Sequence, residues 1–287
     1  MKKLIPMLFV FVLLAALFAG AAADSEETSP RTLNWITARR SIIQNSLNGS
    51  YYVIEDFDTD IWIPDFLAPQ EEIPEGWYYI FTNEENTVSV KARMVRFEGD
   101  CTLSGLEEAV TEMGRVSDGA YWVNGYNALV YENKEDDSIT VGIPYEEGYV
   151  LEFVFAPISD QQVYNLALIL MSTIQPHQMT VQDVALMMDA DLNYSWGPNK
   201  EVRFSDDGSG ITVFMWDEGI TSETFGKVTN WEASREDKIN TYNMYVSVLE
   251  EFNMNGDVLL TLKYISPEED LSFLTISGGE IVYDAAQ

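Results

Sequence analysis

Between Tyr121 and Phe155 the apolar residues recur at every second position, and a turn signal interrupts them each time enough residues for one strand have passed. A period of two places alternate side chains on opposite faces of a strand, and no helix accommodates it. Tyr121 to Val123 and Tyr126 to Glu132 flank Asn124 and Gly125, a pair that favours the type I′ turn of a tight hairpin. The acidic turn Asn133 to Asp137 leads into Ser138 to Ile143, with Ile139, Val141 and Ile143 on one face. Glu146, Glu147 and Gly148 turn into Tyr149 to Phe155, with Tyr149, Leu151, Phe153 and Phe155 on one face. Any fold of this chain must therefore hold an antiparallel meander.

The same signals extend upstream. Tyr51 to Ile54 and Ile61 to Ile63 are short strand-rich pieces, and Trp77 to Thr82 follows a loop from Pro69 to Gly76. Thr87 to Phe97 alternates, with Val88, Val90, Ala92 and Met94 on one face and Ser89, Lys91 and Arg93 on the other, the pattern of a half-buried strand. Ser104 and Glu107 have capping-box spacing for a helix that runs to about Met113 and closes at Gly114. Ser159 and Gln162 open a second, in which Val163, Leu166, Ala167, Leu170 and Ile174 fall at helical spacing before Pro176. Leu168, Ile169 and Met171 make that helix apolar almost all round, so it needs cover on two sides. Residues 51–176 are thus expected to form a mostly antiparallel sheet of five to seven strands with a helix after the early strands and another at the end.

The strings YYVIEDFDTDIWIPDF at 51–66 and WVNGYNALVYENKEDDSITVGIPYEEGYVLEFVFAP at 122–157, with the closing helix SDQQVYNLALILMSTIQP, resemble exported bacterial domains of PsbP-like fold. That fold is an α/β/α sandwich shared by the PsbP subunit of photosystem II and by a eukaryotic family that binds the Ran GTPase. The resemblance covers less than half of the chain and includes no catalytic signature. It implies an interaction or assembly module without enzymatic activity, and names no site.

The amino terminus reads as an address. Lys2 and Lys3 precede the apolar run Leu4 to Phe18, about 15 residues, whereas a membrane span takes roughly 20. Gly20 to Ala23 and then Asp24 complete a secretory signal peptide over residues 1–23, cleaved near Ala23. Residues 24–50 are read as a leader, polar and disordered as far as Pro30, with a short amphipathic helix within 32–47. Only Cys101 is available, so no intramolecular disulfide can form; with no Lys, Arg or His beside it to lower its pKa, it is read as a small apolar filler.

Acidic residues number 47 against 16 Lys and Arg, a net charge of −31 that removal of Lys2 and Lys3 takes to −33. Phosphate backbones are repelled, which excludes nucleic acid as a partner, and anionic membranes are repelled as well. A hydrophobic share of 46% rules out a disordered acidic tail. The acids must coat packed cores.

From Gln178 onward the pattern is that of a separate unit. Thr180 and Asp183 start a short helix with Val181, Val184, Ala185 and Met188 inward. Val202 to Phe204 and Ile211 to Trp216 form a hairpin, and a long helix runs from about Trp231 to Met254. Strands at 258–265, 271–276 and 281–283 complete it. The fold class is α+β, an antiparallel-sheet α/β/α sandwich over 51–177 followed by a small α+β domain with one long helix over 178–287.

Chemical motifs are sparse. His177 is the one histidine and lies beside Pro176 in the connector, so a catalytic triad would have to form around a linker. With one His and one Cys the usual structural zinc sets are excluded, and no phosphate-cradling loop occurs. Asp56, Asp58 and Asp60 space like the opening of a calcium loop, but Ile61 and Leu67 stand where Gly and a bidentate Glu belong. An irregular calcium site at these acids is the metal candidate, set against a simple solvated turn. The ligand candidates are Trp62, Trp77, Tyr79 and Trp122 as an aromatic platform and Lys91 and Arg93 as a cationic stripe. No cofactor is expected. The expectation is an exported, monomeric, non-enzymatic protein that binds another protein or an extracellular ligand; the alternative is a carboxylate-based hydrolase acting on carbohydrate in a cleft between the domains.

Overall fold

The computed structural model describes residues 31–145, 148–225 and 230–286. The expected signal peptide and the expected leader as far as Pro30 lie outside the described residues. The chain divides into two compact units, the first ending at His177 and the second starting at Gln178.

In the first unit, β1 (Arg31–Leu33) and α1 (Trp35–Gln44) lead into β2 (Gly49–Ile54) and β3 (Thr59–Pro64). Then come β4 (Ala68–Pro69), β5 (Tyr79–Thr82), β6 (Ser89–Arg96), α2 (Leu103–Glu112), β7 (Val116–Val123), β8 (Tyr126–Asn133), β9 (Ser138–Tyr145) and β10 (Tyr149–Ala156). The unit closes with α3 (Gln161–Met171) and β11 (Gln175–Pro176). Eight strands form one sheet in the order β1-β7-β8-β9-β10-β6-β5-β4, and β2, β3 and β11 form a second of three. The meander β7 to β10 is antiparallel throughout, as its alternation requires. Asn124 and Gly125 hold φ of 43° and 102°, the left-handed pair a type I′ turn demands.

The alternation sorts the large sheet into two faces. Ala92, Phe153, Val141 and Val130 lie in one cross-strand row, all buried. One residue further along each strand, Arg93, Glu152, Gly142 and Leu129 form the row on the opposite face. Against that second face α2 packs Leu106 and Val110 onto Leu129, Tyr131 and Val150. Helix α3 lies on β10 and β3 and touches α1. It thus has the two-sided cover its all-round apolar composition requires.

Four expectations are corrected. Residues 31–50 are no leader: β1 pairs in parallel with β7, and the amide of Trp35 donates to the side chain of Asn124 at 2.7 Å. Trp35, Ile36, Ala38 and Ile42 are buried, so α1 belongs to the fold. The expected single sheet of five to seven strands is, among the described residues, two sheets of eight and three: β2 and β3 pair apart with β11, and β1 and β4 extend the large sheet by pairings too short to show a period. Helix α2 is capped by Thr102, whose oxygen accepts from Gly105 N, in place of Ser104. Helix α3 is capped by Asp160, while Ser159 hydrogen-bonds Asp137. In both cases the competing oxygen, one or two residues away, meets the free amides of the first turn better.

The second unit begins with α4 (Val181–Ser195), which carries the Thr180 and Asp183 capping box and runs to 15 residues, longer than expected. After it come β12 (Lys200–Phe204), β13 (Gly210–Met215), the single turn α5 (Ser222–Phe225), α6 (Trp231–Glu251), β14 (Leu259–Ser266), β15 (Leu271–Ser277) and β16 (Glu280–Asp284). They make one sheet in the order β12-β13-β14-β15-β16. Its β13–β14 pair is parallel, bridged by α6, and the other pairs are antiparallel. Within this core Lys238 is 1% exposed, with its ammonium 4.1 Å and 4.8 Å from the Tyr264 and Trp196 ring centroids. The ammonium also donates to Ser234 Oγ at 2.8 Å. Burial pushes the lysine below its ordinary pKa.

Candidate functional site

On the α2 face of the large sheet, the side chain of Glu152 rises from the middle of β10, between Leu151 and Phe153, and is only 6% exposed. An isolated buried carboxylate is costly unless charges and donors meet it, and here three side chains do. Arg93, its cross-strand neighbour on β6, donates from Nε and Nη2 at 2.6 Å each. Tyr131 on β8 donates its hydroxyl at 2.5 Å, and Arg115, before β7, brings Nη1 to 3.8 Å. Gly142 makes room for this reach: a side chain there would meet Tyr131 at 3.3 Å and Leu106 at 3.2 Å. Burial, with the Glu152 charge behind it, pushes the Tyr131 phenol far up, so it stays a donor.

Trp77 caps the group. Its ring lies 4.8 Å from the Arg93 guanidinium carbon and 5.5 Å from the Lys91 ammonium, both at cation–π range. Among the described residues Lys91 makes no ion pair, and its ammonium lies over the Trp77 ring.

The structure thus brings together Trp77, Lys91 and Arg93. The other candidates lie elsewhere. Trp62 is 6% exposed in β3, its ring against Gly49. Tyr79 pairs with Ala92 and so faces the other side of the sheet, stacked on Phe81. Trp122 is on β7, four strands from β6, about 19 Å across the sheet. Glu152, Tyr131 and Arg115 escaped the sequence reading. The one signal for them is a lone acid inside the apolar run of β10, which needs a counter-charge.

The aspartates at the β2–β3 turn do not gather. Among the described residues no group of three or more His, Cys, Asp or Glu could hold a metal ion. Asp56 and Asp58 are exposed, and Asp60 turns to His177, whose Nδ1 lies 2.9 Å and 3.1 Å from its carboxylate oxygens. His177 is no free linker residue: its amide donates to Asp58 O at 2.8 Å, next to the pairing of β11 with β3. The hydrogen bond to Asp60 raises the imidazole's pKa, while burial raises Asp60 despite the pull of the imidazole. With the folded-state value above the unfolded one, the imidazole's share of the pair's stabilisation is full below about 6.5 and is lost as pH rises through the folded value. Since the chain has one histidine, its ring signal in an NMR titration is unambiguous. The midpoint is expected above the ordinary 6.5 and to fall in Asp60→Asn; an unchanged midpoint in that variant excludes the pairing.

Cys101 is a free thiol, packed beside Phe97 and Leu103 against the α2 core, its Sγ 3.2 Å from Tyr149 O. The hollows in the surface are open; one of about 700 Å³ is lined by Asp65, Phe66, Gln70 and the exposed turn Glu84 to Asn86. Among the described residues no helix is long and apolar enough to cross a membrane.

No family model matches the sequence, and no curated protein matches it. Similar solved structures include the cyanobacterial PsbP of Synechocystis sp. PCC 6803, with a TM-score of 0.32 and 13% identity over 45% of this chain and 92% of that one. The Ran-binding protein Mog1p of Saccharomyces cerevisiae gives 0.31 and 10% over 46% and 96%. A crystal structure from Bacteroides thetaiotaomicron VPI-5482 gives 0.32 and 9% over 82% and 89%. The chain carries a remote resemblance to the PsbP-like fold, and none of these likenesses assigns it a ligand or a reaction.

Proposed function

We propose that this is an exported, non-enzymatic binding protein that holds another protein or an extracellular ligand on the face where Trp77, Lys91 and Arg93 converge. The observation that carries the reading is the half-buried Trp77 indole beside the Lys91 ammonium, which has no ion pair among the described residues, on a scaffold braced by the Arg93, Glu152 and Tyr131 network. Trp and Arg at a preorganised centre are the side chains that most often dominate an interface. The −31 field slows encounters with polyanions, so the partner is neutral or cationic overall and meets the local cations with a single acidic or hydroxyl group.

The test compares the wild type with Trp77→Ala and Lys91→Ala in pull-downs from the source organism's extracellular fraction, with a glycan and glycoside panel alongside. Loss of one reproducible partner in Trp77→Ala, by about tenfold in affinity or more, supports the reading. Release of reducing sugar that a single Asp or Glu substitution abolishes overturns it in favour of a hydrolase.

A further inference from the structure

The two edges of the second unit's sheet are finished differently. Along β12, at one edge, the exposed Arg203 pairs with the exposed Glu201 at 2.7 Å, while Lys200 is buried against Asp189. Charged side chains of this kind blunt an edge against further pairing. At the other edge, β16 has β15 on one side and, among the described residues, no strand on the other. Its sequence is Glu-Ile-Val-Tyr-Asp, with Ile281, Val282 and Tyr283 exposed by 38%, 66% and 51%. Three consecutive apolar side chains in water on an edge without Lys or Pro are what such edges normally avoid.

The two ends of this edge differ in charge. Glu280 is exposed at its start. The acidic loop Glu268 to Asp270 joins β14 to β15, and its Glu269 accepts from Ser222 N and Oγ at 2.6 Å and 3.0 Å. Asp284 itself is turned inward, accepting from Trp231 Nε1 at 3.2 Å and lying 3.5 Å from Arg235. A second copy of β16 fits poorly, because antiparallel self-pairing about Val282 sets Glu280 against Asp284 twice. A second copy's β12 fits no better, its cations being committed to its own carboxylates.

We propose that the outer edge of β16 is a strand-addition site for an extended segment of another protein, apolar at its centre and carrying Lys or Arg where it meets Glu280. The backbone of β16 supplies the ladder, Ile281, Val282 and Tyr283 supply the side-chain contacts, and Glu280 sets register and choice of partner. This surface belongs to the second unit and requires nothing of the Trp77 face.

The test uses the full chain and a capped synthetic peptide, Lys-Val-Thr-Val-Thr-Val-Lys, beside its counterpart with Glu at both ends, followed by fluorescence anisotropy. The wild type is expected to prefer the basic peptide by about tenfold. Val282→Lys, at a position that is mostly in water, abolishes binding with circular dichroism unchanged. Glu280→Lys weakens the basic peptide and strengthens the acidic one, a swap that loss of folding cannot mimic. Amide exchange should slow in β16 on peptide addition and stay unchanged in β12. Equal affinity for both peptides, or none up to about 1 mM, overturns the proposal. So does a wild-type dimer in sedimentation that Val282→Lys dissolves, since the occupant is then a second copy.

Discussion

On alkaline titration the first unit is expected to unfold steeply above about pH 10, where free tyrosine ionises. Burial, and then its bond to Asp118, pushes Tyr121 up to about 12. Burial likewise takes Tyr126 to about 12, with Thr59 opposing and Asp58 adding to the rise. Tyr131, buried against Glu152, is raised further. Folded-state values above the unfolded one mean that this stabilisation is complete below about pH 10 and is lost as pH climbs through the folded values, because the unfolded chain then binds fewer protons. Each phenol that ionises only on unfolding contributes a slope of up to about 1.4 kcal/mol per pH unit; the partial exposure of Tyr121 and Tyr126 makes that a ceiling. Tyrosinate absorbance should rise together with loss of far-ultraviolet circular dichroism. Smooth ionisation near pH 10 in a still-folded protein is the contrary result.

Glu152→Ala is expected to cost about 3 kcal/mol in urea unfolding. It leaves Arg93 and Arg115 facing each other and removes the acceptor of the Tyr131 hydroxyl. Their side chains are 30% and 23% exposed, so water recovers part of the loss. That places the cost at the low end for a broken buried pair. Tyr131→Phe, which deletes one donor and leaves the charges paired, should cost about 1 kcal/mol. Replacing Glu152 and Arg93 together by Leu and Met removes both charges and should recover most of the stability. If Glu152→Ala costs less than about 1 kcal/mol, the network is not what holds this face rigid, and the preorganisation claimed for Trp77 and Lys91 goes with it.

How much of this was legible depended on the range of the signal. The meander β7 to β10, the hairpin β12–β13, the long helix α6 and the capping box of α4 are local, and each was readable. The short strands β1, β4 and β11 were not, because two or three residues carry no period and are defined by partners far along the chain. Asn124 shows the divide within one residue. Its place beside Gly125 announces a turn, yet its buried amide also donates to Ser172 O and Ile174 O at 2.8 Å each and accepts from Trp35 N. It thereby ties α1 and the end of α3 to the hairpin.

The candidate face divides the same way. Lys91 and Arg93 share a side of β6 by alternation alone, so the stripe was visible in the sequence. That Trp77 covers it and Glu152, Tyr131 and Arg115 brace it depends on strand order, which places β6 beside β10 and leaves a glycine gap on β9 for the tyrosine to cross. Trp62, Tyr79 and Trp122 were equally eligible by composition and were separated only by burial, sheet face and distance. By itself the sequence determined the acidic exterior, the secondary structure with a strong period, and the absence of an internal disulfide, since charge, periodicity and cysteine count are properties of the unfolded chain. Only the tertiary structure decided which aromatics meet the cations, that His177 meets Asp60, and which sheet edge is left open, because each depends on contacts between residues distant in sequence.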